Sequence, residues 1–237
     1  MSIAGQPVVS PIYVTLEPYL TAVRLAPYLA SMNGDYKKSI QLYRWNIAAS
    51  GAMYEALHVF EVVLRNAMDL QLCAWNASQA DPVSGAAHRH DWLMDPSRLL
   101  ARLVPADDRG MAKQRAAKFL PKGSTLVHAD ILAQMPLSAW RFLLPDNDPG
   151  RQLLWRDALA KSFPRLTMTP RELVDAVEGI YRMRNRVAHL EPLLRTASVK
   201  AQMQNIRDVL KAIDGDVESW FSSTQKVSAE LQRQPQA

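Results

Sequence analysis

The sequence lacks most features of secreted, disulfide-rich or membrane-spanning proteins. Cys73 is its only cysteine, so no disulfide forms within the chain, and we expect a reducing compartment. The first residues carry no basic group ahead of their apolar patches, and Pro7 and Pro11 interrupt those patches, which argues against a signal peptide. No apolar run approaches membrane-spanning length. We therefore expect a cytoplasmic protein without a membrane partner.

Glycine is scarce, and neither positive nor negative charge dominates the composition. Only 9 of the 237 residues are glycine, whereas 48% are hydrophobic, so the composition favours helices around a sizeable core. No segment keeps the alternation of a strand, and no solenoid repeat occurs. The 28 basic and 23 acidic residues give a net charge of +5, which permits a nucleic-acid partner without requiring one.

Two long segments have a clear helical period. From Lys37 to about Trp75 the apolar positions recur every three or four residues, and Gly51 is the one position where this helix is expected to divide or kink. A second helix is predicted from Thr169, as N-cap, and Pro170, at its first position. The predicted fold class is all-α, a helical bundle with an irregular central insertion, and residues 1–237 are predicted to form a single domain.

Three segments fall outside the periodic pattern. Residues 1–14 are predicted to be a loose N-terminal arm, and residues 223–237 a polar, frayed tail. Residues 76–123 are predicted to be an insertion, with a loop first and a basic helix of about 109–120 after it.

The basic helix lies in a stretch with a strong local charge. Between Arg98 and Lys122 there are seven basic residues and two acids, a local net charge of 7 − 2 = +5. Two interpretations are open: a solvated helix face, or a patch that contacts the phosphates of RNA. The possible RNA-binding residues are Arg109, Lys113, Arg115, Lys118 and Lys122.

The candidate chemistry lies at the end of the second long helix. Arg184 interrupts its apolar stripe, so the side chain must either pair with a buried acid or face a second surface. Asn185 precedes His189 by four residues, which places both on one helical face. Pro192 ends the helix soon afterwards, so His189 lies in the last turn.

These residue types suit metal-independent cleavage of RNA. An arginine can hold the phosphate and stabilise the charge that develops on it, and a histidine can act as general acid or base. The spacing is equally compatible with a structural role, in which Arg184 pairs with Glu61 and His189 caps the helix. No phosphate-binding glycine loop occurs. His88-Arg89-His90-Asp91 lacks a second ligand pair, so we expect no metal and no cofactor.

The sequence around these residues resembles a known family. Arg184-Asn185-x-x-x-His189 is similar to the signature of HEPN ribonucleases, and the block RNRVAHLEP resembles that of Abi-like (abortive-infection) proteins. Three more elements resemble the same family in order: Tyr43-x-Trp45-Asn46 with FEVVLRN, the segment VHADILAQMPLSAWRFLL, and LLWRDALAKSFP. The similarity extends over about residues 20–222.

The resemblance implies both a fold and a function. It implies a HEPN-like homodimer in which two motif-bearing helices form one composite cleft. It further implies an endoribonuclease in anti-phage abortive infection or a toxin–antitoxin system, with RNA as substrate and an antitoxin protein as a possible partner. Arg184, Asn185 and His189 would be catalytic, with Glu61, Arg65, Asn66, Arg186 and Glu191 in support. The alternative is a non-catalytic HEPN module that binds RNA or a partner protein.

The sequence departs from the family pattern in two places. The central element reads Pro136-Leu137-Ser138-Ala139 where the family has small and aromatic residues with a glycine. Glu191 stands two residues after His189, where some HEPN toxins carry a tyrosine that is modified by nucleotidylation. Arg65-Asn66 is a second RN pair, but Leu70 stands at the position of its histidine, so we do not expect a second catalytic motif there.

Overall fold

Helices form the regular structure of residues 10–237, the part of the chain that the computed structural model describes. The only β pairing in that part is an isolated bridge between Ala80 and Ala87. The prediction of an all-α fold is therefore confirmed. In chain order the helices are α1 (Pro11–Leu20), α2 (Ala22–Ser31), α3 (Tyr36–Ala77), α4 (Arg98–Leu103), α5 (Ala106–Phe119), α6 (His128–Ala133), α7 (Leu137–Leu143), α8 (Pro149–Asp157), a 3-10 turn (Leu159–Ser162), α9 (Pro170–Ala188), α10 (Thr196–Ile213), α11 (Gly215–Thr224) and α12 (Val227–Gln232).

Helix α3 is the longest element, with 42 residues. It starts after Asp35, whose carboxylate accepts a hydrogen bond from the Lys38 N–H at 2.9 Å, as an N-cap does. The helix continues through Gly51, so the predicted division into two helices does not occur. By length and composition alone, α3 contains a window apolar enough to cross a membrane, with a mean hydropathy of 1.3. Core helices of soluble proteins meet the same criterion, so this is weak evidence.

The chain forms two compact units, each built from separate segments. Unit 1 contains residues up to His58, together with Met183–Met203 and Ser223–Ala237. Unit 2 contains Val59–Arg182 and Gln204–Ser222. The boundaries fall inside helices α3, α9, α10 and α11, so no loop or linker marks them.

Each unit has its own buried aromatic contacts. In unit 1, Tyr28 is fully buried and meets the ring of Tyr43 edge to face, with the ring centroids 5.1 Å apart. In unit 2, the fully buried rings of Trp92 and Trp140 meet in the same way at 6.1 Å. Edge-to-face pairs of this kind add to the free energy gained by burying the rings. The core residues of α3 follow the predicted stripe, since Met53, Phe60 and Leu64 are all buried.

The structure corrects two of the three segments predicted to be irregular. Residues 1–9 lie outside the described part of the chain, but Pro11 already begins α1, and Tyr13 is buried. The prediction of a loose arm over residues 1–14 is therefore wrong for residues 11–14, which are helical. Pro11 sits at the start of the helix, where a missing N–H costs nothing, and the burial of Tyr13 accounts for the ordering.

The predicted frayed tail is also wrong. Helix α12 lies within residues 223–237, and it buries Val227 and Leu231. The indole N–H of Trp45 donates a hydrogen bond of 2.7 Å to the carbonyl oxygen of Glu230, which ties α12 to α3 inside unit 1. The burial of two apolar residues four positions apart, together with this hydrogen bond, accounts for the order of a segment whose overall composition is polar.

The central insertion follows the prediction more closely. Between α3 and α4 no helix forms, and the buried side chain of Asn76 holds this irregular segment together. Its amide donates to the carbonyl oxygens of Arg89 and Asp95, at 2.7 and 2.9 Å, and its oxygen accepts from the Ser97 N–H at 2.8 Å. The basic helix is α5, which begins three residues before the predicted start.

The buried contact of α12 predicts a measurable loss of stability. Leu231→Ala removes a buried side chain and should lower the free energy of unfolding by about 2–4 kcal/mol, measured by urea denaturation. The matched control is Gln232→Ala, which removes an exposed neighbour in the same helix and should change stability by less than about 0.5 kcal/mol. Equal, negligible effects of both substitutions would mean that the tail is frayed in solution.

Candidate active site

Helix α9 carries the predicted catalytic residues, and its start is well defined. The Thr169 hydroxyl accepts from the Glu172 N–H at 3.2 Å, while the Glu172 carboxylate accepts from the Thr169 N–H at 2.7 Å. This reciprocal pair is a capping box, and it also lowers the pKa of Glu172. The predicted N-cap at Thr169 is therefore confirmed. The apolar stripe that follows is buried at Leu173, Val177 and Ile180.

The C-terminal end of α9 is an unusual turn. Leu190 has a backbone φ of 58°, in the left-handed region that normally favours glycine. The Leu190 N–H donates to the Val187 carbonyl at 3.1 Å, and the Glu191 N–H donates to the Arg186 carbonyl at 2.9 Å. These two bonds define a Schellman motif, in which His189 is the last residue at the helix end. The turn thus ends the helix just before Pro192.

His189 is exposed at this helix end. Its N–H still donates to the Asn185 carbonyl oxygen, at 2.8 Å, as in a regular helix. Within the described part of unit 1, the side chains of Asn185 and His189 form no hydrogen bond with each other. The catalytic role predicted for Asn185 therefore stays a prediction, while the exposure of His189 leaves its imidazole accessible to a substrate.

The two arginines that flank Asn185 have different environments. Arg186 donates to the Pro192 carbonyl at 2.6 Å and pairs with the Glu191 carboxylate at 3.3 Å, so it stabilises the turn after the helix. Arg184 is half-buried between the buried residues Ile180 and Val187, and it forms no ion pair or hydrogen bond within the described part of unit 1. Its guanidinium is thus the one that remains available to bind an anion.

A cavity of about 540 Å³ lies beside this helix end. Ala188 and Leu190, on either side of His189, contribute to its wall, together with Arg24 of α2 and Tyr43 and Tyr54 of α3. All of these residues belong to unit 1. The wall is mainly apolar and aromatic, as in most sites that bind small molecules.

Two hydrogen bonds attach the turn after α9 to the rest of unit 1. Arg24 donates to the carbonyl oxygen of Leu190 at 2.7 Å. The buried side-chain oxygen of Asn46 accepts from the N–H of Leu193 at 2.6 Å. The structure therefore joins the Tyr43-x-Trp45-Asn46 element to the RNRVAHLEP block, two elements that are more than a hundred residues apart in the sequence.

The remaining predicted supporting residues belong to unit 2. Arg65 donates to the Asn66 side chain at 3.4 Å and to the Ala133 carbonyl at 3.5 Å. Glu61 is half-buried and forms no ion pair within unit 2, as far as the structure describes it. Of these three predicted supporting residues, Arg65 and Asn66 therefore contact each other, and Glu61 does not join them.

The predicted RNA-binding patch needs one correction. Arg109 is 9% exposed, and burial lowers the pKa of its guanidinium, so it does not belong to an outer surface of α5. Arg115 uses one N–H on the Gln134 carbonyl, at 3.2 Å. Lys118 and Lys122 are exposed, whereas Lys113 is half-buried. The five basic residues therefore differ in exposure, and Lys122 lies beyond the end of α5.

The structure also brings together residues that sequence reasoning missed. Asp69 and Cys73, four residues apart on α3, meet His128 at the start of α6. Hydrogen bonds of His128 to Asp69, and further ones to Cys73 and Asp91, raise the pKa of the imidazole to about 11, although burial opposes the shift. The only sequence signal was the spacing of Asp69 and Cys73, because His128 follows 55 residues after Cys73 and nothing in the segment VHADILAQMPLSAWRFLL marks it as a partner of these two residues.

Comparison with known proteins yields no match: no family model, no curated protein and no solved structure is significantly similar to the chain. The resemblance to Abi-like proteins therefore stays a prediction, based on the quoted sequence elements alone. The geometry of the helix end stands independently of it.

The left-handed conformation of Leu190 predicts a stabilising substitution. Leu190→Gly removes a side chain that is 63% exposed and relieves the backbone penalty of a positive φ, so thermal unfolding should show a gain of about 0.5–1 kcal/mol. Ala188→Gly, placed inside the last helical turn, is the control and should cost about 1 kcal/mol. A loss of stability with Leu190→Gly would show that the turn has another conformation in solution.

Proposed function

We propose that the protein is a metal-independent endoribonuclease whose active site is the C-terminal end of α9. One observation carries the proposal: a half-buried guanidinium without an ion pair in unit 1, Arg184, precedes an exposed imidazole, His189, at a helix end beside a cavity. A cation and an imidazole are sufficient for transesterification of RNA, in which the ribose 2′-hydroxyl attacks the adjacent phosphorus and the 5′-oxygen leaves.

Each residue has a distinct role in this mechanism. Arg184 binds a non-bridging phosphate oxygen and stabilises the negative charge that grows on it in the transition state. His189 removes the proton of the 2′-hydroxyl or supplies a proton to the departing 5′-oxygen. The bonds balance without a co-reactant: a P–O2′ bond forms, the P–O5′ bond breaks, and one proton moves from the 2′-oxygen to the 5′-oxygen.

The geometry of α9 favours a site formed by two copies of the chain. Five residues along a helix correspond to a net rotation of about 140° around its axis, so the side chains of Arg184 and His189 lie on different faces of α9. Arg184 lies in the apolar stripe, where a charge without a partner is unfavourable unless another surface, such as a second chain, faces it. A homodimer in which two α9 helices meet would bring the arginine of one chain near the histidine of the other, and it would supply one histidine as base and one as acid.

The cavity beside His189 gives the proposed site a place for a nucleobase. Tyr43 is half-buried and Tyr54 is 64% exposed, and aromatic rings of this kind stack with unpaired bases of RNA. Single-stranded RNA is therefore the substrate that the wall of the cavity fits best. We further propose a role in anti-phage abortive infection or in a toxin–antitoxin pair, on the basis of the sequence resemblance.

Substitutions at the helix end test the proposal. His189→Ala should reduce single-turnover cleavage of RNA by at least about 100-fold, because general acid–base catalysis contributes about 10²–10⁴-fold. Arg184→Ala should reduce both cleavage and RNA affinity, and Arg184→Lys should restore affinity more than cleavage, because lysine keeps the charge but loses the two-pronged hydrogen bonding.

The chain offers matched controls in the same unit. His58→Ala removes another exposed histidine, and Arg195→Ala another exposed arginine, and both should cleave at the wild-type rate. If His189→Ala binds and cleaves RNA as the wild type does, His189 is a structural residue. If the wild type binds RNA but never cleaves it, the protein is a non-catalytic binding module.

A further inference from the structure

The cluster of Asp69, Cys73 and His128 lies outside the proposed active site, in unit 2. The Nε2 atom of His128 lies 3.0 Å from each carboxylate oxygen of Asp69 and 3.7 Å from the Sγ atom of Cys73. The Cys73 Sγ atom lies 3.8 Å from the nearer Asp69 oxygen. Three different ligand types, a carboxylate, a thiol and an imidazole, thus converge on one point.

These separations lie within a few tenths of an ångström of those between ligands of a tetrahedral zinc ion. With zinc bonds of about 2.0–2.1 Å to nitrogen, about 2.0–2.2 Å to oxygen and about 2.3 Å to sulfur, neighbouring ligand atoms lie about 3.3–3.6 Å apart. The observed separations of 3.0, 3.7 and 3.8 Å bracket this range. A zinc ion could therefore be bound after side-chain movements of a few tenths of an ångström.

The surroundings of the cluster fit a metal site as well. The Nδ1 atom of His128, on the far side of the ring, is 2.8 Å from the Asp91 carboxylate, the arrangement that orients a zinc-bound histidine. The indole N–H of Trp92 donates to Asp69 Oδ1 at 2.8 Å and fixes that carboxylate. Asp69 is 8% exposed, and hydrogen bonds to Trp92 and His128 hold its carboxylate in place.

We propose that Asp69, Cys73 and His128 bind one zinc ion, with Asp91 as the residue that positions His128. Thiolate and imidazole ligands together select zinc over the harder magnesium and calcium ions. Three protein ligands leave the fourth tetrahedral position to water. The sequence alone predicted no metal, because its one group of metal-like residues is the loop His88–Asp91, of which only Asp91 takes part here.

The zinc ion would hold three segments of unit 2 together. Asp69 and Cys73 come from α3, His128 from α6, and Asp91 and Trp92 from the irregular segment between α3 and α4. That segment contains no helix of its own, so a metal bond next to it would limit its motion. In this proposal the ion stabilises unit 2 and takes no part in the chemistry proposed for Arg184 and His189, which belong to unit 1.

The solitary cysteine gives a direct test on the unmodified chain. Alkylation by iodoacetamide reports on Cys73 alone, because no other cysteine exists. Zinc added to metal-free protein should slow the reaction at least tenfold, and zinc should raise the thermal unfolding midpoint. Cobalt(II) in place of zinc should produce the visible bands of a tetrahedral ion and a sulfur-to-cobalt charge-transfer band.

Variants separate a zinc site from a hydrogen-bonded ion pair. Elemental analysis should find one zinc per chain in the wild type and none in Cys73→Ser, and Asp91→Asn should weaken zinc binding about 10–100-fold. The control is His88→Gln, which breaks another histidine–aspartate pair in the same unit, His88 with Asp95 at 3.2 Å, and should bind zinc like the wild type.

One set of results would overturn the proposal. If the wild type retains no zinc and its alkylation rate is unchanged by zinc, the cluster is an ion-pair network of His128 with its two aspartates. The outcome is independent of the ribonuclease assay, because loss of zinc should lower the unfolding midpoint without affecting RNA cleavage at temperatures where the protein stays folded.

Discussion

The turn that ends α9 is the constraint on which the candidate active site depends. Pro192 has no N–H to continue the helix. Leu190 takes a left-handed conformation, which allows the carbonyl oxygens of Arg186 and Val187 to accept hydrogen bonds from the turn. Arg24 and Asn46 then hold the chain after the turn. As a result, His189 stands exposed at the helix end. A non-glycine residue with a positive φ is costly, and such costs are often found at functional sites.

Much of the helical framework could be predicted from the sequence, because apolar spacing and capping residues are local signals. The stripe of α9 and its N-cap at Thr169 are as expected. The ends of the chain were harder to predict. The ordering of α12 depends on the hydrogen bond between Trp45 and the Glu230 carbonyl, which joins residues far apart in the sequence. No local pattern contains that information.

The same distinction applies to the functional residues. The position of His189 at the end of α9 follows from Pro192, three residues away, so local reasoning could place it. By contrast, Arg109 lies in a run of basic residues, and its burial follows from tertiary packing that the run does not reveal. The meeting of Asp69 with His128 was also invisible, because it depends on where α6 packs. Candidate sites made of distant residues therefore need a structure.

The two units carry chemically different centres. Among its described residues, unit 1 presents Arg184 and His189, a cation and an imidazole, without a carboxylate cluster, and the chemistry proposed for this pair uses no divalent ion. Unit 2 contains the Asp69, Cys73 and His128 cluster, whose residue types are those of zinc ligands. The proposed catalysis and the proposed metal binding therefore concern different residues, so each proposal can be tested without disturbing the other.

The most direct test of the central claim is the chemistry of the RNA ends formed in the presence of EDTA, below the unfolding temperature of the chelated protein. Attack by the 2′-hydroxyl leaves a 2′,3′-cyclic phosphate on one fragment and a 5′-hydroxyl on the other, and we expect these ends with undiminished yield. Cleavage that appears only after a divalent metal is added, with 5′-phosphate ends, would contradict the account, because it would require water activated by a metal in place of His189.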